Sequence, residues 1–197
     1  MNKITLTAEK GRTQVLCGGE PLFCARTAIV RDYGVRDGDV LDDAQVEAFR
    51  VHCLLREGLL RANELLSRRD YSAAALTEKL GGGEIAETVV ARLIEKGLVD
   101  DEKYARLRAE HLLQNRLYSR DRTVYALIGE GIDRDLARRV TEENDSGEER
   151  LARLIERKYR RKLAEPDGVR KVTQALLRLG FGTDEVRGAL RAFTGQD

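Results

Sequence analysis

Residues 98–132, LVDDEKYARLRAEHLLQNRLYSRDRTVYALIGEGI, read as a helix, a short basic connector, a second helix and a glycine stop. Asp100 and Asp101 supply an N-cap and a negatively charged first turn, which satisfy and complement the free N–H groups of a helix start. Tyr104, Ala105 and Leu112 then share one helical face. The connector, Asn115 to Arg122, holds neither Pro nor Gly but carries Arg116, Arg120 and Arg122. Val124, Leu127 and Ile128 form the next apolar stripe, and Gly131 stands where a left-handed residue ends a helix.

The pattern recurs on both sides at a spacing near 48. Upstream, Ser72, Leu76 and Leu80 precede the glycines at 81–83 and a helix carrying Ile85, Val89, Val90, Leu93 and Ile94. In the middle, Ser119 and Leu127 precede Gly131-Ile132 and a helix with Leu136 and Val140. Downstream, Asp167 and Leu176 precede Gly180-Phe181 and a helix with Val186, Ala189, Leu190 and Phe193. Each short pair follows a longer predicted helix: Asp43–Ser67, Asp100–Gln114 and Gly147–Leu163. Asp42 with Gln45, and Ser146 with Glu149, have capping-box spacing. The expected fold is therefore mainly α: three tandem three-helix repeats forming an elongated curved array. The boundaries fall at 43–97, 98–145 and 146–197, behind an N-terminal cap at 1–42.

That cap reads as a small β-meander plus helix. Lys3–Thr7, Thr13–Cys17 and Pro21–Cys24 alternate apolar and polar residues, with Lys10-Gly11 and Gly18-Gly19 at the hairpin turns. A helix over Ala25–Tyr33, ended by Gly34, covers the sheet face.

The chain has 197 residues and a formal net charge of +1, but the charge is uneven. Residues 1–49 hold six Lys/Arg against eight Asp/Glu, whereas residues 150–178 hold ten against three. Local clusters, not totals, govern affinity for polyanions. Three such clusters stand out: Arg116, Arg120 and Arg122 around Tyr118; Arg157, Lys158, Arg160 and Arg161 around Tyr159; and Arg170, Lys171 and Arg178.

Other chemistry is scarce. The two histidines, His52 and His111, lie far apart inside predicted helices. Cys17, Cys24, His52 and Cys53 lack zinc-ligand spacing, and Gly81-Gly82-Gly83 lacks the strand and the Lys-Ser/Thr ending of a phosphate loop. No catalytic constellation, metal site or cofactor site is expected. Three cysteines, no secretory leader and no membrane-length apolar run point to a reducing cytoplasm.

Taken in order, Arg69-Asp70-Tyr71-Ser72, Leu98-Val99-Asp100-Asp101 with Tyr104-Ala105, Gly131-Ile132, Arg157-Lys158-Tyr159, Lys171-Val172 and Gly180-Phe181 resemble the RecX family of regulatory proteins. The likeness covers roughly residues 45–195, and Gly34-Val35, Gly38 and Leu41 are similar to the family's variable start. The chain departs from the pattern at Ala75, at Ser119-Arg120, and at Leu112, where an acidic residue, a glycine and an arginine are usual. The resemblance implies a cytoplasmic, monomeric, non-enzymatic protein of DNA repair, recombination and the SOS response. Such a protein binds the RecA–DNA filament in its helical groove, restrains filament growth and RecA activity, and binds single- or double-stranded DNA weakly by itself. The ten basic residues named above are the expected contacts with RecA or DNA. The competing expectation is a helix-turn-helix transcription factor. It suffers from the acidic starts of the third helices, which would repel a DNA groove.

Overall fold

In the computed structural model, which describes residues 1–145 and 147–194, the chain is mainly helical with a small N-terminal antiparallel sheet. It divides into two compact units, Met1–Val99 and Asp100–Asp197.

In the first unit, β1 (Asn2–Glu9), β2 (Arg12–Cys17) and β3 (Glu20–Arg26) form the meander. Their turns, Lys10-Gly11 and Gly18-Gly19, have positive φ at both residues, the conformation that matches the strands' own twist. Sequence reading had missed β4 (Val40–Leu41), which pairs with Asn2 and Lys3 and makes the order β3-β2-β1-β4. Two residues are too few to show a period. Helix α1 (Thr27–Tyr33) starts two residues later than expected, because Ala25 stays in β3 opposite Thr13 and is fully buried there.

Helix α2 (Asp43–Leu66) lies across the sheet and is capped as its sequence requires. The Asp42 carboxylate accepts the Gln45 N–H at 2.8 Å, and the Gln45 side chain accepts the Asp42 N–H at 2.9 Å. Phe49 and Cys53 on α2 are buried with Ile4, Val15 and Phe23 from the strands, and the Phe23 and Phe49 rings meet edge-on at 5.2 Å. Glu57, one turn further along α2, grips the sheet. It accepts from Arg12 Nη1 at 3.0 Å and from the Arg26 backbone N–H at 3.0 Å. Two short helices, α3 (Ala73–Lys79) and α4 (Gly83–Glu95), complete the unit. Gly58 lets α4 close on α2, since a Cβ there would lie 2.8 Å from Val89 Cγ2.

The second unit begins with α5 (Asp101–Glu110), capped by the Asp100 side chain. It runs on into a π-helical turn, His111–Asn115, instead of the plain α-helix expected to Gln114. The connector is shorter than expected, residues 116–119. Arg120 and Arg122 belong to the first turn of α6 (Arg120–Gly129), because Ser119 supplies an N-cap there. Helix α7 (Arg134–Glu143) follows. A longer helical run then comprises α8 (Gly147–Leu154), a π-turn at Ile155–Tyr159 and α9 (Arg160–Leu163), and α10 (Gly168–Arg178) and α11 (Thr183–Thr194) complete the unit. The capping box expected at Ser146 and Glu149 lies outside the described residues. One core in this unit centres on Leu127, Ile132 and Val140, the other on Leu151, Leu154, Ile155 and Leu176.

Helices α3, α6 and α10 end alike. The N–H groups of Gly82, Ile132 and Phe181 donate five residues back, to the carbonyls of Thr77, Leu127 and Leu176. Gly81, Gly131 and Gly180 are left-handed just before them. This is the Schellman stop, which uses carbonyls that the helix leaves open.

Candidate functional site

Ser119 organises the site. Its hydroxyl accepts the Arg122 N–H at 3.3 Å, capping α6, and donates to the Leu179 carbonyl at the end of α10 at 2.8 Å. Just before it, Leu117 adopts a left-handed φ of +55°, unusual for a branched residue. This conformation costs about 1–2 kcal/mol. Burial of the Leu117 side chain with Leu154 and Phe181 offsets that cost.

Beside this junction opens a cleft of about 330 Å³, lined by Arg116, Tyr118, Ser119, Arg122, Arg157 and Lys158, with Leu154, Leu179 and Phe181 among the apolar residues. Its two basic walls come from the two π-turns. Arg116 directly follows the first, its N–H donating to His111 five residues back at 3.2 Å. Arg157 and Lys158 lie within the second. A π-turn closes i→i+5, so consecutive side chains diverge less than on an α-turn and neighbours can face one cleft. Arg122 is held with its guanidinium 3.8 Å above the Tyr118 ring centre, a cation–π contact that fixes its direction.

The electrostatics are one-sided. Among the described residues no carboxylate lines the cleft, and Arg116, Arg122, Arg157 and Lys158 make no ion pair. The other predicted contacts are placed differently. Arg120 pairs with Asp145, Arg160 with Glu156, and Arg170 with Asp167 at 3.5 Å. Lys171 donates to the Pro166 carbonyl at 3.3 Å. Arg161 and Arg178 are exposed and do not line the cleft. Of ten sequence candidates, the fold thus brings four together. A second cavity of about 410 Å³ on α6 and α7 has Arg120, Arg134 and Arg138, but Asp121 and Glu142 line it too.

Arg108, on α5 one turn before Leu112, serves the fold. It holds Glu130 through Nε at 3.0 Å and Nη2 at 2.6 Å, and these bonds raise its pKa. Asp133, at the start of α7, is held below the usual carboxylate range by the N–H groups of Leu136 and Asp135.

No family model matches the chain. Among curated proteins, the regulatory protein RecX of Trichlorobacter lovleyi is 32% identical over 138 residues, which are 65% of this chain and 90% of the relative. The chain belongs to the RecX family. A regulatory protein RecX of Caldanaerobacter subterraneus subsp. tengcongensis is 23% identical over 194 residues, 96% of this chain and 98% of the relative. Two solved structures share the fold. One is a crystal structure of regulatory protein RecX, with a TM-score of 0.65 over 96% of this chain and 98% of the other at 19% identity. The second, RecX from Lactobacillus salivarius, has a TM-score of 0.64 over 71% and 96% at 20% identity.

This RecX-family chain also carries a feature that the sequence reading missed. Arg150, 1% exposed at its side chain, donates to Asp145, 2% exposed, which also receives Arg120. Arg150 Nη2 lies 3.5 Å from Glu185 on α11. The buried cluster ties α6, α8 and α11 together, and nothing in sequence distinguishes Arg150 from its exposed basic neighbours. Among the described residues no helix is long and apolar enough to cross a membrane.

Proposed function

We propose that this protein is a non-enzymatic regulator of the RecA recombinase that binds the RecA–DNA filament and restrains its growth and ATP hydrolysis. The observation that supports this reading is the cleft with four cations that make no ion pair, and with no lining carboxylate, among the described residues, in a chain whose relatives are named regulatory protein RecX. A filament offers polyphosphate and acidic protein surface in one repeating lattice, and unpaired guanidinium groups suit both. In this account the segments 43–97, 98–145 and 146–197 act as three modules of a cytoplasmic monomer. Their contacts are individually weak and add through effective concentration, so affinity for DNA alone is low. The transcription-factor alternative fares worse, because α4, α7 and α11 carry Glu84, Asp135, and Asp184 with Glu185 in their first turns.

The test is capture of the protein by RecA filaments assembled on single-stranded DNA. Retention with the filament supports the reading, and retention that does not depend on RecA contradicts it.

A further inference from the structure

Among the described residues, the buried polar side-chain atoms without a hydrogen-bond partner are Arg150 Nε, Arg150 Nη2 and Glu185 Oε1. All three lie where α8 meets α11. Buried polar groups are almost always partnered, so three orphans at one seam mark a contact held at a cost. A charged donor shut away from water without an acceptor forfeits its hydration, and water that reaches it restores the loss. The packing of α11 on α8 is therefore opposed, along its polar side, by the groups that it buries.

The fold lets α11 relieve that opposition by itself. It packs on α8 and α10 and follows Gly182. Phe181, just before the glycine, is anchored, since it is buried and its N–H donates to the Leu176 carbonyl at 3.3 Å. Val186 and Leu190 hold α11 to the apolar core. Its polar tie to α8 is weak, because Glu185 Oε1 stands 3.5 Å from Arg150 Nη2 and neither atom makes a hydrogen bond. The second Glu185 oxygen accepts the Gly182 N–H at 3.3 Å, a bond at the start of α11 itself. Arg150, in contrast, is fixed. Its Nη1 donates to Asp145 Oδ1, and its guanidinium carbon lies 5.8 Å from the Phe181 ring centre. The other Asp145 oxygen receives Arg120 Nε.

We propose that α11 is a latch that opens as a unit at Gly182 while α8 and α10 stay folded, and that Arg120 sets how firmly it closes by competing with Arg150 for Asp145. A carboxylate can hold both arms of one guanidinium fork, one on each oxygen. While Arg120 occupies Oδ2, Arg150 keeps orphaned donors and the latch is loose. With Arg120 drawn away, both Asp145 oxygens turn to Arg150, an orphan gains its acceptor, and the latch tightens. Arg120 is 61% exposed at its side chain, so the buried seam is controlled from solvent. Opening wets Arg150 and Glu185 and uncovers part of the apolar cluster that holds Leu151, Val172 and Leu176.

The experiment is native-state amide hydrogen exchange of the full chain, read residue by residue by NMR at low urea concentrations. The amides of α11 are expected to exchange at least about tenfold faster than the best protected amides of α8 and α10. Their rates are expected to depend less on urea, because opening exposes less surface than unfolding. Arg120→Ala is expected to slow exchange in α11 about tenfold, the effect of one charge-assisted hydrogen bond gained, and to leave α2 unchanged. Arg120→Lys, which returns a cation to Asp145, is expected to restore the faster rate, and Arg161→Ala to match wild type. The proposal is overturned if α11 exchanges with the rate and urea dependence of α8 and α10, as it would if an ordered water satisfied the orphaned atoms. It is equally overturned if Arg120→Ala leaves exchange in α11 unchanged or quickens it.

Discussion

At the scale of single residues, buried charge marks the points on which each unit depends. Arg150 and Asp145 are both removed from water, and deleting Arg150 leaves the buried Asp145 with only the exposed Arg120 as its partner, at a cost toward the lower end of the about 3–5 kcal/mol typical of a broken buried pair. Arg150→Ala is therefore expected to lose that much in a urea titration of the full chain, far more than Arg161→Ala on an exposed site. Arg150 was illegible because its partners, Arg120, Asp145 and Glu185, are defined only by the fold. In the first unit Glu57 sets an acid limit. Burial pushes its carboxyl up, but the Arg26 N–H and the Arg12 and Arg26 guanidinium groups outweigh this and hold it below its ordinary value. Its contribution is thus present above the unfolded carboxyl pKa, about 4.3, and is lost as pH falls through the folded value. Glu57→Gln is expected to lower stability at neutral pH and to flatten its decline in acid, as measured by thermal melts across that range. Burial also pushes the Cys53 thiol up to about 11. In native protein at mildly alkaline pH, a thiol reagent is expected to label Cys17 and Cys24 and to reach Cys53 only after unfolding.

At the scale of elements, caps and stops carried most of the readable signal, since they are local hydrogen-bonding devices. Asp42 with Gln45 started α2 and Asp100 started α5 as their residue types dictate, and Gly131 and Gly180 ended α6 and α10. The two π-turns were not readable, because a single inserted residue leaves the apolar spacing nearly intact. Arg120 and Arg122 read as connector residues because the apolar stripe of α6 begins only at Val124, although Ser119, in register with Ser72 in the repeat, stands three residues before the N–H it accepts. The junction between α6 and α10 is open to a double-mutant cycle. Ser119→Ala is expected to cost about 1 kcal/mol through the lost cap. Gly180→Ala should cost at least as much, because its φ of +84° is unfavourable for alanine and its Cβ would meet the Ser119 hydroxyl. The double variant is expected to lose less than the sum, since Ser119→Ala removes the hydroxyl that the new Cβ would meet. Strict additivity would mean that the hydroxyl and the added Cβ do not clash.

At the scale of the molecule, a net charge of +1 conceals a one-sided cleft. The basic clusters were visible in sequence, but their sorting was not. Arg157 and Lys158, in a π-turn, line one cleft with Arg116 and Arg122, which flank the left-handed Leu117, while Arg160 and Arg170, equally basic in sequence, lie outside it beside Glu156 and Asp167. Function in this account depends on the four cleft cations as a set. The most direct measurement is the rate of RecA ATP hydrolysis on single-stranded DNA, with no addition, with the wild-type protein, and with Arg116, Arg122, Arg157 and Lys158 all changed to Glu. The account predicts that the wild type slows hydrolysis, that the reversed variant does not, and that circular dichroism finds the variant folded. A folded variant that slows RecA as well as the wild type, or a wild type without effect, would contradict it.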